Sequence, residues 1–275
     1  MSTAPKLTTL STSPPVTTPP REAHQRIRSD GSKLKSSLID ELSLGRTNLT
    51  AAFSTLPPRT LKAGELLATP ALYKRGIFRL RAGWACQFYD LSNDRSVIID
   101  VYVPGDVIGL DTLLRTQPLE GVVTLTSVAL EVIPAKDGLL DLMADRPIAL
   151  YIFWLLEQRR RRAHRHLVAN TRFEAQARLA MMVLDFYTRL RRRRLITAST
   201  YNLPLTQTQI GDYLGLSAVH VNRVLRSLRD ERVVNVEKNQ VTILDLQRLA
   251  RLAGEGELVN SALASGAVEL SPPAP

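Results

Sequence analysis

The pattern of hydrophobic and polar positions changes once along the chain. From Leu56 to Pro134, short apolar runs rich in strand-forming residues are separated by turn signals such as Ala82-Gly83 and Pro104-Gly105-Asp106. Several short strands at this spacing predict an antiparallel sandwich or barrel. After Pro134 the apolar residues recur at helical spacing. The pattern therefore predicts an α+β protein in which an antiparallel β-domain precedes a helical region.

The helical region is predicted to hold a short helix, Asp137 to Ala144, followed by two long helices. Pro147 suits the first turn of the first long helix, and Ile148, Ile152 and Leu155 lie on one of its faces at i, i+4 and i+7. Such an apolar face is what a helix needs in order to pair with a second copy of the chain. A second helix, over about 171–193, ends in a run of four arginines.

The segment from Leu203 to Arg229 carries the most specific pattern in the sequence. Thr206 and Gln209 form a capping box that opens a helix. Gly215 supplies a tight turn, and Ser217 caps a second helix. That second helix buries apolar residues at i, i+3, i+4 and i+7 and leaves its outer face polar; the buried set is Val221, Val224, Leu225 and Leu228. Two capped helices joined by a glycine turn predict a helix-turn-helix with a recognition helix.

A β-hairpin is predicted directly after the recognition helix. The runs 233–236 and 240–243 are rich in valine and isoleucine, and they flank the turn Glu237-Lys238-Asn239. A hairpin in this place is the wing of a winged helix.

The recognition helix offers side chains for contact with DNA. The guanidinium of Arg223 can donate to guanine O6 and N7, which is worth about 1–3 kcal/mol of discrimination. Val219 offers an apolar contact to a thymine methyl group, whereas His220 and Asn222 suit either bases or phosphates. The predicted phosphate contacts lie at helix N-termini, on the recognition helix and in the wing; they are Thr206, Gln207, Ser217, Arg226 and Lys238.

The net charge of +10 is concentrated in one stretch of the chain. Residues 151–194 hold 12 arginines against three acidic residues, a net charge of +9. A basic excess favours nucleic acid or an anionic membrane as the partner. The arginine runs 159–162 and 191–194 are interpreted as solvated helix faces, with non-specific attraction for phosphate as the functional alternative.

Residue counts exclude several classes of function. The single cysteine, Cys86, cannot form an intramolecular disulfide, a four-cysteine zinc site or an all-thiolate iron–sulfur cluster. It is interpreted as an inert buried thiol, and His164 and His166 as solvated polar residues. Because 36–150 contains no histidine, neither a metal site nor a catalytic residue is predicted, and the chain is not expected to be an enzyme. No transmembrane run or signal peptide is found, so a cytoplasmic location is expected.

The residues 215–223, Gly-Leu-Ser-Ala-Val-His-Val-Asn-Arg, and 228–234, Leu-Arg-Asp-Glu-Arg-Val-Val, resemble the Crp/Fnr family of bacterial transcription regulators. Residues 61–65 and 104–109 resemble two signatures of that family's sensor domain. The resemblance implies a homodimer that binds a pseudo-palindromic DNA operator beside RNA polymerase. The expected divisions are a Ser/Thr/Pro-rich disordered tail (1–36), a jelly-roll-like β-roll (37–146), a dimerisation helix (147–169), a winged helix-turn-helix domain (170–253) and a flexible tail (254–275).

The sequence departs from the family members that bind cyclic AMP. Gly109-Leu110 stands where those members carry Gly-Glu, and Glu120-Gly121 stands where they place an arginine against the cyclic phosphate. A carboxylate repels phosphate, so cyclic AMP is not expected to bind; no cofactor is predicted, and the effector is left open. Val219 replaces a glutamate that reads cytosine in much of the family, so a different DNA half-site is expected. The alternative function is an adaptor that binds a membrane or a protein through its basic helices and winged helix.

Overall fold

The computed structural model describes residues 21–55, 57–68, 76–91, 95–110, 120–134 and 138–254. The chain divides into two compact units, residues 1–40 and 41–275. Helix α1 (Arg21–Ser54) begins in the first unit, so the prediction of a disordered tail up to residue 36 is wrong from Arg21 onward. The Ser/Thr/Pro-rich composition ends at Pro20, and residues with higher helix propensity follow. Residues 1–20 and the tail beyond residue 254 lie outside the described residues.

Two four-stranded antiparallel sheets form the β-domain, which confirms the predicted α+β fold. The strands are β1 (Arg59–Leu61), β2 (Leu66–Ala68), β3 (Gly76–Ala82), β4 (Ala85–Leu91), β5 (Arg95–Tyr102), β6 (Val107–Ile108), β7 (Glu120–Thr124) and β8 (Val128–Pro134). One sheet has the order β1-β8-β3-β6 and the other β2-β7-β4-β5. Buried residues of both sheets, such as Leu80 and Leu130 from the first and Val122 from the second, share one core.

Three helices follow the β-domain: α2 (Gly138–Ala144), α3 (Arg146–Arg172) and α4 (Ala175–Arg192). Asp145 caps α3 by accepting a hydrogen bond from the Ile148 backbone N–H at 3.0 Å. The last turns of α1 approach α3 closely, because a Cβ atom on Gly45 would lie 1.9 Å from the Pro147 carbonyl oxygen. The glycine therefore allows two helix backbones to come into contact.

The predicted dimer residues of α3 pack inside this chain. Ile148 and Ile152 are 4% and 3% exposed, and they share a core with Leu49 and Phe53 of α1. Leu155 is half-buried against the same cluster. The periodicity correctly identified an apolar face, but that face meets α1 and the β-domain, so these side chains are not available to a second copy.

The C-terminal region is a winged helix. Its elements are β9 (Thr200–Asn202), α5 (Gln207–Leu214), α6 (Ala218–Asp230), β10 (Val234–Glu237), β11 (Gln240–Ile243) and α7 (Leu246–Leu252). The predicted hairpin is present, with Val236 opposite Val241. Strand β9 was not predicted, and it extends the wing to a three-stranded sheet of order β10-β11-β9. Three residues are too few for a periodic signal.

The winged helix and the β-domain share a hydrophobic core. The Trp84 ring meets the Phe186 ring of α4 edge-on, with 5.3 Å between centroids. Val101 and Val103, both fully buried, belong to the same cluster as residues of α4, α5 and α6. The region that carries the helix-turn-helix therefore packs directly on the β-domain.

A buried carboxylate reinforces this contact. Asp106, in the turn after β5, accepts hydrogen bonds from the guanidinium groups of Arg189 and Arg193 on or just after α4, the latter at 2.6 Å. Its side chain also accepts from the Val103 N–H at 2.8 Å, and Arg189 donates to the Val101 carbonyl at 2.9 Å. Burial alone would raise the pKa of Asp106, but the charges of the two arginines outweigh it and hold that pKa well below its usual range.

A second ion cluster joins α3 to the β-domain. Arg159 donates to the Gln87 side-chain oxygen at 2.9 Å and to the Tyr102 hydroxyl at 2.7 Å, and its Nε lies 3.5 Å from Asp100. Arg162 lies 3.8 Å from the same carboxylate. Helix α3 and the end of α4 are thus each attached to the β-domain by arginine.

We expect Asp106→Asn to lower the free energy of unfolding by about 3–5 kcal/mol at neutral pH, because it leaves buried guanidinium charge without its counterion. Urea unfolding at several pH values measures this. Since the folded-state pKa of Asp106 is lowered, its stabilisation is present at neutral pH and is lost as the pH falls below about 4. The difference between wild type and variant should therefore shrink in acid.

The matched control is Asp90→Asn, which changes an exposed aspartate on β4. Its effect should stay within about 0.5 kcal/mol. Equal effects of the two substitutions would contradict the assigned role of the Asp106 carboxylate.

Candidate nucleic-acid interface

Two capped helices form the predicted helix-turn-helix. The Thr206 hydroxyl accepts from the Gln209 N–H at 3.2 Å while the Gln209 side chain accepts from the Thr206 N–H at 2.9 Å, which completes the capping box. Gly215 ends α5 in the left-handed region, with φ of 65°. The Ser217 hydroxyl accepts from the His220 N–H at 3.2 Å and thereby starts α6. All three predicted local signals are present.

Helix α6 buries its inner face and exposes its outer face. Val221 and Leu228 are fully buried, Val224 is buried, and Leu225 is half-buried. On the outer face Val219 is 73% exposed, which is high for an apolar side chain. An apolar group held in solvent at the first turn of a helix is suited to contact with a partner.

The other candidate base contacts lie beside Val219. His220 and Arg223 are exposed. Asn222 is half-buried, and its amide donates to the Gln207 side-chain oxygen of α5 at 3.1 Å. This hydrogen bond joins one candidate base contact to one candidate phosphate contact across the two helices.

The remaining candidate phosphate contacts surround the same surface. Thr206, Gln207, Ser217 and Arg226 are exposed at the ends and along the outer side of α5 and α6. Lys238 is exposed at the wing tip, where it and Asn239 adopt positive φ angles of 47° and 66°. The structure thus arranges the whole predicted set on the helix-turn-helix and its wing.

Two supports of this surface were not predicted from sequence. Arg229 donates to the Asn235 side chain at 2.9 Å and to the Val236 carbonyl at 3.1 Å, which fixes the wing to α6. Glu231, after α6, pairs with Arg248 of α7 at 2.6 Å. Hydrogen bonds from Ser227 and Gln176, together with the Arg248 charge, lower the pKa of Glu231. Charged residues of this kind are common on protein surfaces, so the sequence did not indicate these contacts.

The connector helices also hold the helix-turn-helix. The His166 ring of α3 stacks on the Tyr213 ring of α5 at 4.4 Å between centroids. Arg178 of α4 donates to the Leu214 carbonyl at 3.3 Å, beside the turn between α5 and α6. His166 is half-buried, and burial lowers its pKa, so its interpretation as a solvated residue is wrong.

The arginine runs are only partly solvated faces. Arg159, Arg162 and Arg193 are each at most 28% exposed in their side chains and contact aspartates of the β-domain. Arg160 and Arg161 instead pair with Glu157 on the same helix at 2.6 and 3.1 Å. The interpretation as solvated runs is wrong for the first three, because their acidic partners lie far away in sequence.

Cys86 is buried in the core between β-domain and winged helix. Burial raises the pKa of its thiol to about 12, so the reactive thiolate is scarce at neutral pH. This agrees with the interpretation as an inert thiol.

Comparison with known proteins agrees with the architecture. Residues 177–252 match the Crp-like helix-turn-helix domain. The chain is 26% identical over 194 residues to the anaerobic regulatory protein of Haemophilus influenzae, a match that covers 70% of this chain and 72% of that one. It is 25% identical to the transcriptional activator protein Anr of Pseudomonas aeruginosa, over 71% of this chain and 80% of the relative. These similarities support a regulator of the Crp/Fnr type, the family that the sequence resembles.

Two solved structures share the fold over more than 70% of this chain. FixK2 from Bradyrhizobium japonicum superposes with a TM-score of 0.61 at 22% identity, over 72% of this chain and 98% of that chain. A transcriptional regulator of the CRP family from Thermus thermophilus gives a TM-score of 0.56 at 20% identity, over 71% of this chain and 96% of that chain.

Residues 104–109, the second stretch that resembles a Crp/Fnr sensor signature, form the turn that holds Asp106. Gly105 has φ of 91°, and a Cβ atom there would lie 3.0 Å from the Arg193 Cδ atom. The first signature ends at Glu65, whose N–H donates to the Thr124 hydroxyl at 3.0 Å. In the part of the chain that the structure describes, no helix is long and apolar enough to span a membrane.

Proposed function

We propose that this protein is a cytoplasmic, sequence-specific DNA-binding transcription regulator that acts as a homodimer on an inverted repeat beside RNA polymerase. In this proposal the protein works by binding and not by catalysis. The observation that carries it is the outer face of α6, where Val219, His220 and Arg223 are exposed next to two capped helix N-termini. Selection of bound sites from random DNA tests the proposal, and inverted repeats should be enriched.

Arg223 and Val219 would read bases in the major groove. A guanidinium donates two hydrogen bonds to guanine, and the valine methyl groups contact the thymine methyl group. The two side chains lie four residues apart on α6, and therefore on one face. A half-site containing a G·C pair near a T·A pair is the expected target.

Thr206 and Ser217 would position the duplex through its phosphates. Each hydroxyl accepts a backbone N–H as a helix cap and still carries its own proton, which it can donate to a phosphate oxygen. Gln207, joined to Asn222, would meet the same strand. Lys238 at the wing tip and Arg226 on α6 add positive charge.

Arg223→Ala should weaken binding to the selected site by about 1–3 kcal/mol and relax the base preference at one position. Lys238→Ala should weaken binding to all sequences alike and reduce the slope of log K against log salt by about 1. Fluorescence anisotropy with selected and scrambled duplexes at several salt concentrations separates the two effects. If Arg223→Ala kept the full base preference, Arg223 would not be the base-reading residue.

The homodimer would use the outward face of α3. This outward seam comprises Ala149, Phe153, Arg160, Ala163 and Leu167. Phe153 is 70% exposed and Leu167 is 63% exposed.

Phe153→Glu should convert the dimer to a monomer, because it places a charge in an apolar seam. Sedimentation analysis gives the mass, and weaker binding to the inverted repeat should accompany the change. Val168→Glu is the matched control, since Val168 is 51% exposed on α3 but lies off the seam. A dimer that survives Phe153→Glu and not Val168→Glu would overturn this choice of face.

The β-domain is proposed not to bind cyclic AMP. The Phe88 ring fills the space above Gly121, since a Cβ atom on that glycine would lie 2.4 Å from the Phe88 Cζ atom. The neighbouring Glu120 is a half-buried residue of β7 opposite Tyr89, so it lies in a strand and not in a surface loop. A larger side chain at Gly121, such as the arginine of cyclic AMP-binding members, would displace the phenylalanine.

Calorimetric titration of the full-length protein with millimolar cyclic AMP should give no saturable heat. DNA affinity should be unchanged in its presence. A stoichiometric, saturable signal would show that the phosphate is held by residues other than those at positions 120 and 121.

A further inference from the structure

One stripe of α6 ends in a carboxylate. Four exposed residues follow one another along the helix at spacings of four, three and four, so they lie on one side of it. They are Val219, Arg223, Arg226 and Asp230. All four line one open groove along the outer face of α6. The surface assigned above to DNA therefore carries a negative charge at the C-terminal end of the helix.

The charge of Asp230 is not compensated. In the part of the chain that the structure describes, no ion pair or side-chain hydrogen bond involves its carboxylate. Its neighbour Glu231, which lines the same groove, is instead paired with Arg248 at 2.6 Å. Asp230 is also the last residue of α6, where the negative end of the helix dipole disfavours a carboxylate. Contacts among the described residues therefore do not account for a charge at this position.

Asp230 lies far along α6 from the first base-reading residue. A recognition helix contacts base edges with its N-terminal residues, and Asp230 follows Val219 by eleven residues, about 16 Å along the axis. A straight helix cannot follow the curved major groove over this length, so its C-terminal end rises out of the groove when the N-terminal end is inserted. A helix that is not inserted lies with its whole stripe against the phosphates. The repulsion between Asp230 and phosphate is therefore stronger when α6 is not inserted.

We propose that Asp230 is a specificity-determining residue that acts by repulsion, an inference that rests on the proposed function. At a matching site, the base contacts of Val219 and Arg223 hold α6 in the inserted position and keep Asp230 away from the phosphates. On other sequences, binding depends on phosphate attraction alone, and the unpaired carboxylate opposes the attraction that Arg223 and Arg226 provide. An unpaired charge that faces the wrong partner raises specificity in this way.

Asp230→Asn tests the proposal, because it removes the charge with little change of shape. In the full-length protein, fluorescence anisotropy gives the dissociation constants for the selected duplex and for a scrambled duplex, and hence their ratio. At about 0.1 M salt, the variant should bind the scrambled duplex about fivefold more tightly and the selected duplex less than about twofold more tightly. The gain on the scrambled duplex should shrink as salt is added, since salt screens exposed charges.

The matched control is Asp212→Asn, since Asp212 is exposed on α5 but lies outside the groove. It removes the same charge and should leave the ratio of dissociation constants unchanged. Asp230→Glu, which keeps the charge, should also leave that ratio unchanged. An unchanged ratio in Asp230→Asn, or an equal change in Asp212→Asn, contradicts the role of Asp230 while the DNA-binding function stands. If the wild type itself prefers no inverted repeat, the proposed function is wrong and this inference is wrong with it.

Discussion

The pairing of one buried carboxylate with two arginines determines how the two folded regions are joined. Asp106 stands in a glycine turn of the β-domain, and Arg189 and Arg193 reach it from the end of α4. Removing charge from water is costly, and the interaction is favourable only because each group is met by several partners. The shared core around Trp84 and Phe186 excludes water from the same contact. The orientation of the helix-turn-helix relative to the sheets follows from this contact.

Local signals allowed the helix-turn-helix to be predicted in detail from sequence. The caps at Thr206 and Ser217 and the turn at Gly215 depend on residues within a few positions of one another, and each is present in the structure. The exposure of the outer-face residues of α6 follows directly from helical periodicity. The base-reading roles of the outer-face residues remain predictions, since they depend on a duplex.

Contacts between distant residues were beyond the sequence. Nothing in the run 159–162 indicates that Arg159 meets an aspartate 59 positions earlier while Arg160 meets Glu157 three positions earlier. The periodicity also identified the apolar face of α3 at Ile148 and Ile152, but it did not show which part of the molecule packs against that face. Helix α3 also exposes apolar residues on its outward seam, at Phe153 and Leu167. The packing of α1 and the β-domain decides which face remains available to a second copy.

The Asp106 contact has a consequence for modularity. Winged helices are often regarded as exchangeable cassettes, yet here the end of α4 is complementary to one particular turn of the β-domain. A chimera that exchanged residues 170–254 for those of a relative would place the relative's α4 C-terminus opposite the Asp106 carboxylate of this protein. Such an exchange would therefore have to carry the turn at 104–106 together with the arginines at the end of α4, so the exchangeable unit is larger than the DNA-binding fold.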